Sequence, residues 1–208
     1  METVKQETVS NKVVSTVRSS MEMREAILNT ATELFRVKGL KFTMQDVAQE
    51  MHIAKKTIYK LYPSKEDLLM DLAVQGFAKI HEHKRHILES DLPLKEKIST
   101  VLIAMPENYV TLDFRRLKGI EEKHPEVWKE ISRNLESEWE PIFALLDEGK
   151  KEGKVRDVSL PILRQIVTAS IDSFLYSDGL NRSGISYQEA LQEMVGIIMK
   201  GVWNDSAE

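Results

Sequence analysis

The sequence predicts an all-α chain in two parts. Three observations carry this. Apolar residues recur at the 3.6-residue spacing of amphipathic helices in segment after segment. No alternating strand pattern persists. The helical segments are separated by capping residues and by Pro or Gly breaks.

Residues 1–18 are rich in Ser, Thr and Val and lack helical periodicity, so a flexible arm is expected there. A helix should start near Ser19 or Ser20, since Ser19 and Glu22 have capping-box spacing. Its stripe is Met23, Ala26, Ile27, Ala31, Leu34 and Phe35, and Gly39 is its C-terminal cap. Thr43 and Asp46 repeat the cap signal ahead of a helix of about two turns, interrupted at Met51-His52-Ile53. A second short helix spans 54–61, Pro63 breaks the chain, and Ser64 caps a third that carries Leu68, Leu69, Leu72, Phe77 and Ile80. Further helices are expected at about 93–105, 108–121, 125–151, 160–178 and 187–203.

The last two segments have wide apolar stripes. Width of this kind fits either a deep core within one copy or one face packed inward and another against a second copy, and the second is expected here because paired copies are the commonest assembly. Ile162, Ile166, Phe174, Leu191, Met194, Val195 and Ile198 are the expected dimer-interface residues.

Composition narrows the function classes. The chain has no cysteine, which excludes disulfides, thiolate nucleophiles and Cys-ligated zinc. No secretory signal pattern opens it and no apolar run approaches a membrane span, so a soluble cytoplasmic protein is expected. No phosphate loop, nucleophile elbow or zinc motif is present, and neither an enzyme nor a cofactor is expected. His83 and His86 in "HEHKRH", residues 81–86, share a helix face but lack a carboxylate partner pattern, and no metal is expected.

The formal charge is −4, yet residues 1–65 hold 11 Lys+Arg against 7 Asp+Glu, and the remainder 18 against 26. A basic N-terminal part on an acidic body is what a nucleic-acid surface requires. Two short helices joined by a tight turn, the second basic, have helix-turn-helix geometry, in which the second helix enters the major groove. Lys55, Lys56 and Thr57 would occupy its exposed first turn, while Ile58 and Leu61 pack back. Tyr59 offers a phenolic donor to phosphate, and Lys60 and Lys65 add charge. A solvated lysine face is the competing reading of this stretch.

Residues 20–69 closely resemble the DNA-binding domain of TetR-family (tetracycline-repressor-like) transcriptional regulators. The family pattern T-x-x-x-[IV]-A-x-x-A-G-V-S-x-x-T-[LI]-Y-x-[YH]-F-x-[SN]-K-E-[ED]-L reads here "TMQDVAQEMHIAKKTIYKLYPSKEDL". Thr43, Val47, Ala48, Thr57, Ile58, Tyr59, Ser64, Lys65, Glu66 and Leu68 match. His52 stands in place of the usual turn Gly, Ala54 in place of the capping Ser, and Met51 in place of a small Ala. The resemblance implies that Lys55, Lys56 and Thr57 face bases and that Thr43, Tyr59 and Lys65 hold phosphates; Lys60 joins them on charge and position. It also implies an N-terminal three-helix DNA-binding domain over 19–65, followed by a helical ligand-binding and dimerisation domain over 66–208. An inducer pocket is implied in the second domain, for which Phe77, Met105, Tyr109, Phe114, Trp139, Phe143 and Phe174 are candidate lining residues, suited to an apolar or aromatic ligand. The implied function is a homodimeric repressor of double-stranded DNA released by a small molecule. The alternative is a helical small-molecule-binding protein or enzyme whose DNA-binding domain is idle.

Overall fold

The computed structural model describes residues 2–106, 109, 114–117, 119–137, 139–176 and 179–204. They form two compact units, Met1–Leu72 and Ala73–Glu208.

The first unit contains α1 (Glu2–Lys38), α2 (Met44–Glu50), α3 (Lys55–Leu61) and the start of α4 (Lys65–Glu89). The helical backbone of α1 begins at Glu2, where an arm was expected up to residue 18. No Gly or Pro lies among the first 38 residues, so nothing in the chain stops a helix once nucleated. Gly39 ends it with φ +56, a conformation that suits a residue without a side chain. Ile27, Ala31, Phe42, Val47, Ile58 and Leu68 are all but inaccessible and make the core.

Two short helices need caps more than long ones do. Thr43 caps α2 with a full capping box, accepting from the Asp46 amide at 3.1 Å while its own amide donates to the Asp46 carboxylate at 2.7 Å. Ser64 and Asp67 repeat the same reciprocal pair ahead of α4, at 3.1 and 2.8 Å. Ala54 precedes α3 and offers no side-chain acceptor.

The second unit holds the rest of α4, then α5 (Leu94–Leu102), α6 (Ile120–Lys123), α7 (Pro125–Glu136), α8 (Glu140–Lys151), α9 (Leu160–Tyr176), α10 (Gly179–Arg182) and α11 (Tyr187–Val202). α5 packs on α8 and α11, and α11 on α9. The core runs through Ile98, Val101, Ile142, Leu146, Val167 and Leu191. At Gly149 a β-carbon would lie 2.5 Å from Val155, so only glycine lets the chain turn back under α8. Val155 then makes an isolated antiparallel bridge with Trp203.

Several expected elements differ. The segment 125–151 is two helices, because Pro141 has no amide to bond the carbonyl four residues back. Six of the fourteen residues of the expected helix 108–121 lie outside the described residues; Phe114–Leu117 form a 3-10 turn and Gly119 has φ +85, which ends any continuous helix there. A helical turn, Gly179–Arg182, sits inside the expected break before α11.

The expected dimer residues divide. Ile162 and Ile166 face outward, 62% and 50% exposed. Leu191, Met194, Val195 and Ile198 do not: all four are buried in the protomer's own core. Phe174 is half-buried against that core. The stripe of α11 is wide enough to cover α5 and α9 at once, and that cover consumes these side chains. Ile197, 62% exposed, is the large apolar side chain that α11 turns outward.

Candidate nucleic-acid interface and ligand cleft

α3 has one buried face and one charged face. Ile58 is fully buried and Leu61 half-buried, whereas Lys55, Lys56, Tyr59 and Lys60 are exposed. At 100° per residue these four fall on one arc of about 140° opposite Ile58. Thr57 sits at the arc's edge, half-buried. The Lys55 ammonium lies 5.4 Å from the centre of the Tyr59 ring, which keeps cation and phenol together on the surface. The resulting surface is cationic, exposed and backed by a rigid apolar face, which is what groove docking requires.

The turn that orients α3 carries strain. His52 has φ +54, the left-handed conformation that the glycine of the family pattern would adopt freely. Ile53 amide then bonds the Ala48 carbonyl at 3.0 Å and locks the turn onto α2.

Two of the expected phosphate-binding side chains are already engaged inside the first unit. The Thr43 hydroxyl donates to Asp46 at 3.0 Å as well as accepting from its amide. The Lys65 ammonium donates to the Leu40 carbonyl at 2.6 Å and lies 4.8 Å from the centre of the Phe42 ring. Lys65 thus fastens α4 to the turn after α1.

Three residues outside the expected set fix α3 from behind. Tyr62, at its C-terminal cap, is 2% exposed and donates to Asp71 at 2.6 Å. Arg24 of α1 lies over the Tyr62 ring at 5.2 Å, reaches Asp71 at 3.4 Å and donates to the Leu61 carbonyl at 3.4 Å. Burial first, then the Asp71 carboxylate, pushes the Tyr62 phenol far above its ordinary range, so it remains a donor. A signal for this existed: Tyr62 occupies the Phe position of the family pattern, and a buried hydroxyl there demands a partner. Lys38 and Asp46, 2.9 Å apart, tie α1 to α2.

The candidate ligand-lining aromatics lie in the second unit. Trp139 and Phe143 pair at 5.9 Å, with Trp139 in the core and Phe143 packed against it. Tyr109 is buried, and that burial raises its phenol. Phe77 contacts His81 at 6.1 Å, Met105 and Phe174 are half-buried, and the Phe114 side chain lies outside the described residues. A cleft of about 420 Å³ opens elsewhere in this unit. His81, Glu82, Lys84 and Arg85 of α4 form its rim. Leu88, Val101, Pro141 and Ile142 complete its lining, Val101 and Ile142 buried and Pro141 exposed. The described residues hold no group of three or more His, Asp or Glu side chains arranged for a metal ion. No helix among them is long and apolar enough to cross a membrane.

Comparison with known proteins agrees with this geometry. The family model for bacterial regulatory proteins of the tetR family matches residues 27–72. An uncharacterized HTH-type transcriptional regulator, YvaF of Bacillus subtilis (strain 168), is 26% identical over 184 residues, 88% of this chain and 97% of the relative. A putative transcriptional regulator from Saccharomonospora viridis in complex with choline has a TM-score of 0.69 at 17% identity, over 88% of this chain and 99% of the other. The transcriptional regulator FadR from Bacillus subtilis in complex with stearoyl-CoA has a TM-score of 0.60 at 18% identity, over 85% and 98%. With its helix-turn-helix, its exposed cationic α3 and these matches together, residues 27–72 form a DNA-binding domain of the tetR family of bacterial regulatory proteins.

Proposed function

We propose that this protein acts as a homodimeric repressor on a pseudo-palindromic operator and leaves it when a small molecule binds the second unit. The observation that carries this is the outward arc of α3, with Lys55, Lys56, Tyr59 and Lys60 exposed over a buried Ile58. Lys55, Lys56 and Thr57 read base edges, since lysine donates to guanine acceptors and threonine offers a hydroxyl and a methyl. Tyr59 and Lys60 hold phosphates, which set register but carry no sequence information. Thr43 and Lys65 shape the unit through their internal bonds, and any phosphate contact they make is added to that role.

The partner surface is the outward side of α9 and α11, where Ile162, Ile166 and Ile197 are exposed. Two copies would form a four-helix interface there and present two α3 helices to successive major grooves. The protein acts by binding rather than by catalysis, in the cytoplasm where its DNA lies. Ligand response is supported by the relatives solved with stearoyl-CoA and with choline. Release requires the ligand to bind the state with unsuitable α3 spacing more tightly than the DNA-bound state.

Selection of bound sequences from a random duplex pool, with the winner's affinity followed against salt, tests this. An enriched palindrome whose binding falls steeply with salt is the expected result. Weak binding with no enriched sequence would refute it.

A further inference from the structure

The exposed residues of α3 stand in two rows. Lys55 and Tyr59 are four residues apart, about 40° from each other around the helix, and Lys56 with Lys60 forms the neighbouring row. The first row joins a cation to a ring, with the Lys55 ammonium 5.4 Å from the centre of the Tyr59 ring. Side chains on a helix lean toward its N-terminus, so the Tyr59 ring covers the surface one turn back, where Lys55 stands. That turn is the end of a recognition helix that meets base edges. The two partners differ in stiffness. Lysine carries its charge on a flexible four-carbon stem, whereas tyrosine has two side-chain torsions. The helix beneath them is fixed by Ile58, which is fully buried.

We infer that Tyr59 is a specificity-determining residue: its ring holds the Lys55 ammonium in position for a base edge before DNA arrives, while its hydroxyl serves phosphate. The inference rests on the base-reading role proposed above for Lys55 and adds the residue that positions it. A lysine free to swing can follow a change of sequence, exchanging a lost guanine acceptor for a neighbouring base or a phosphate. A lysine held against a ring cannot follow, so a wrong base costs it the contact. Holding it in the free protein also reduces the side-chain freedom lost on binding. The ring does not use up the ammonium, which has three donors, and those on its far side remain for guanine O6 and N7. Tyr59 thus acts in two ways that mutation can separate, through its hydroxyl on affinity for every sequence and through its ring on the choice among sequences.

Binding of the full-length protein to its selected operator, and to copies with each base pair changed singly, tests this in wild type, K55Q, Y59F, Y59L and K55Q/Y59L. The readout is the ratio of operator affinity to altered-site affinity. A lost phosphate contact or a less stable helix lowers both alike and cancels. K55Q should relax the ratio about tenfold at the base pairs that Lys55 reaches. Y59L should relax it at the same positions by about two- to fivefold, and K55Q/Y59L no further than K55Q. Y59F keeps the ring and should bind every sequence more weakly at wild-type ratios. The proton spectrum of the DNA-free protein is an independent check. The ε-methylene of Lys55 should be shifted upfield by the ring in wild type and Y59F, and should return to the ordinary lysine position in Y59L. Relaxed ratios in K55Q with wild-type ratios in Y59L would overturn the positioning role and leave base reading by Lys55 standing. Unchanged ratios in K55Q, or a pool with no enriched operator, would overturn both. An unshifted Lys55 in the wild type would overturn the pair whatever the DNA result.

Discussion

The Tyr62 hydroxyl donates a 2.6 Å hydrogen bond to Asp71, joining the end of α3 to the second turn of α4. Arg24 covers the Tyr62 ring and also reaches Asp71, so three elements meet at one buried phenol. Tyr62→Phe removes one hydrogen bond and leaves Asp71 with Arg24. It should cost about 1–2 kcal/mol of stability. Asp71→Ala should cost more, because it strands the buried hydroxyl and removes the partner of Arg24. Urea unfolding of the two variants checks the order, and an equal or larger loss in Tyr62→Phe would contradict it.

Lys60 and Lys65 separate a DNA contact from an internal one. Lys60 is exposed on α3, whereas Lys65 is bonded to the Leu40 carbonyl. Lys60→Ala should reduce the salt dependence of operator binding by about one counterion without affecting stability. Lys65→Ala should lower the melting temperature and leave the salt slope near that of the wild type. A slope that falls in Lys65→Ala as it does in Lys60→Ala would assign Lys65 to phosphate after all.

The helix-turn-helix departs from its family at two positions where the departure has a local cost. Ala54→Ser would give α3 the side-chain cap it lacks, worth about 1 kcal/mol. His52→Gly would relieve the φ of +54 but lose chain entropy on folding, leaving a net gain below about 1 kcal/mol. Thermal unfolding should therefore show both variants more stable, with Ala54→Ser ahead. A destabilised Ala54→Ser would mean that position 54 does not cap α3.

Acid should release the tie between α1 and α2. The hydrogen bond from Lys38, followed by those from the Thr43 backbone and hydroxyl, holds the Asp46 carboxyl below its ordinary value of 3.8. A lowered folded-state value means that the stabilisation is fully present above the unfolded value and disappears as pH falls through the folded one. The stability difference between wild type and Asp46→Asn should be constant near neutral pH and shrink below pH 3.8. A difference that does not change on acidification would show that the charge of Asp46 contributes nothing.

What was legible in the sequence was local. Thr43 with Asp46, and Ser64 as a cap, announce helix starts within three residues of themselves, and both form. The outward Lys55, Lys56, Tyr59 and Lys60 follow from one helical period set against Ile58. The contacts of Lys65 were not legible, because its acceptor is a backbone carbonyl 25 residues away, and a carbonyl has no sequence signature. Pro141 was visible, but the apolar stripe continues past it and masked the break between α7 and α8. Apolar spacing also shows which side chains leave water without showing what covers them, which is why the inward and outward residues of α11 were not told apart. The cleft escaped for a related reason: its two walls, around residues 81–88 and 141–142, meet only in the folded unit.

That division within α9 and α11 leads to a test that distinguishes interface from core. Ile166 and Ile197 are 50% and 62% exposed in the protomer, whereas Val195 is 5% exposed. A charge placed at an exposed position leaves the protomer's packing intact but must be desolvated when two copies meet. Ile166→Glu and Ile197→Glu should therefore yield folded monomers with wild-type helicity. Operator binding should fall sharply, since each monomer presents a single α3 to a two-half-site operator. Val195→Glu buries an unpaired charge inside the protomer and should unfold the second unit rather than split a dimer cleanly. Sedimentation combined with circular dichroism separates these outcomes. A dimer that persists in both isoleucine variants would move the interface off this face.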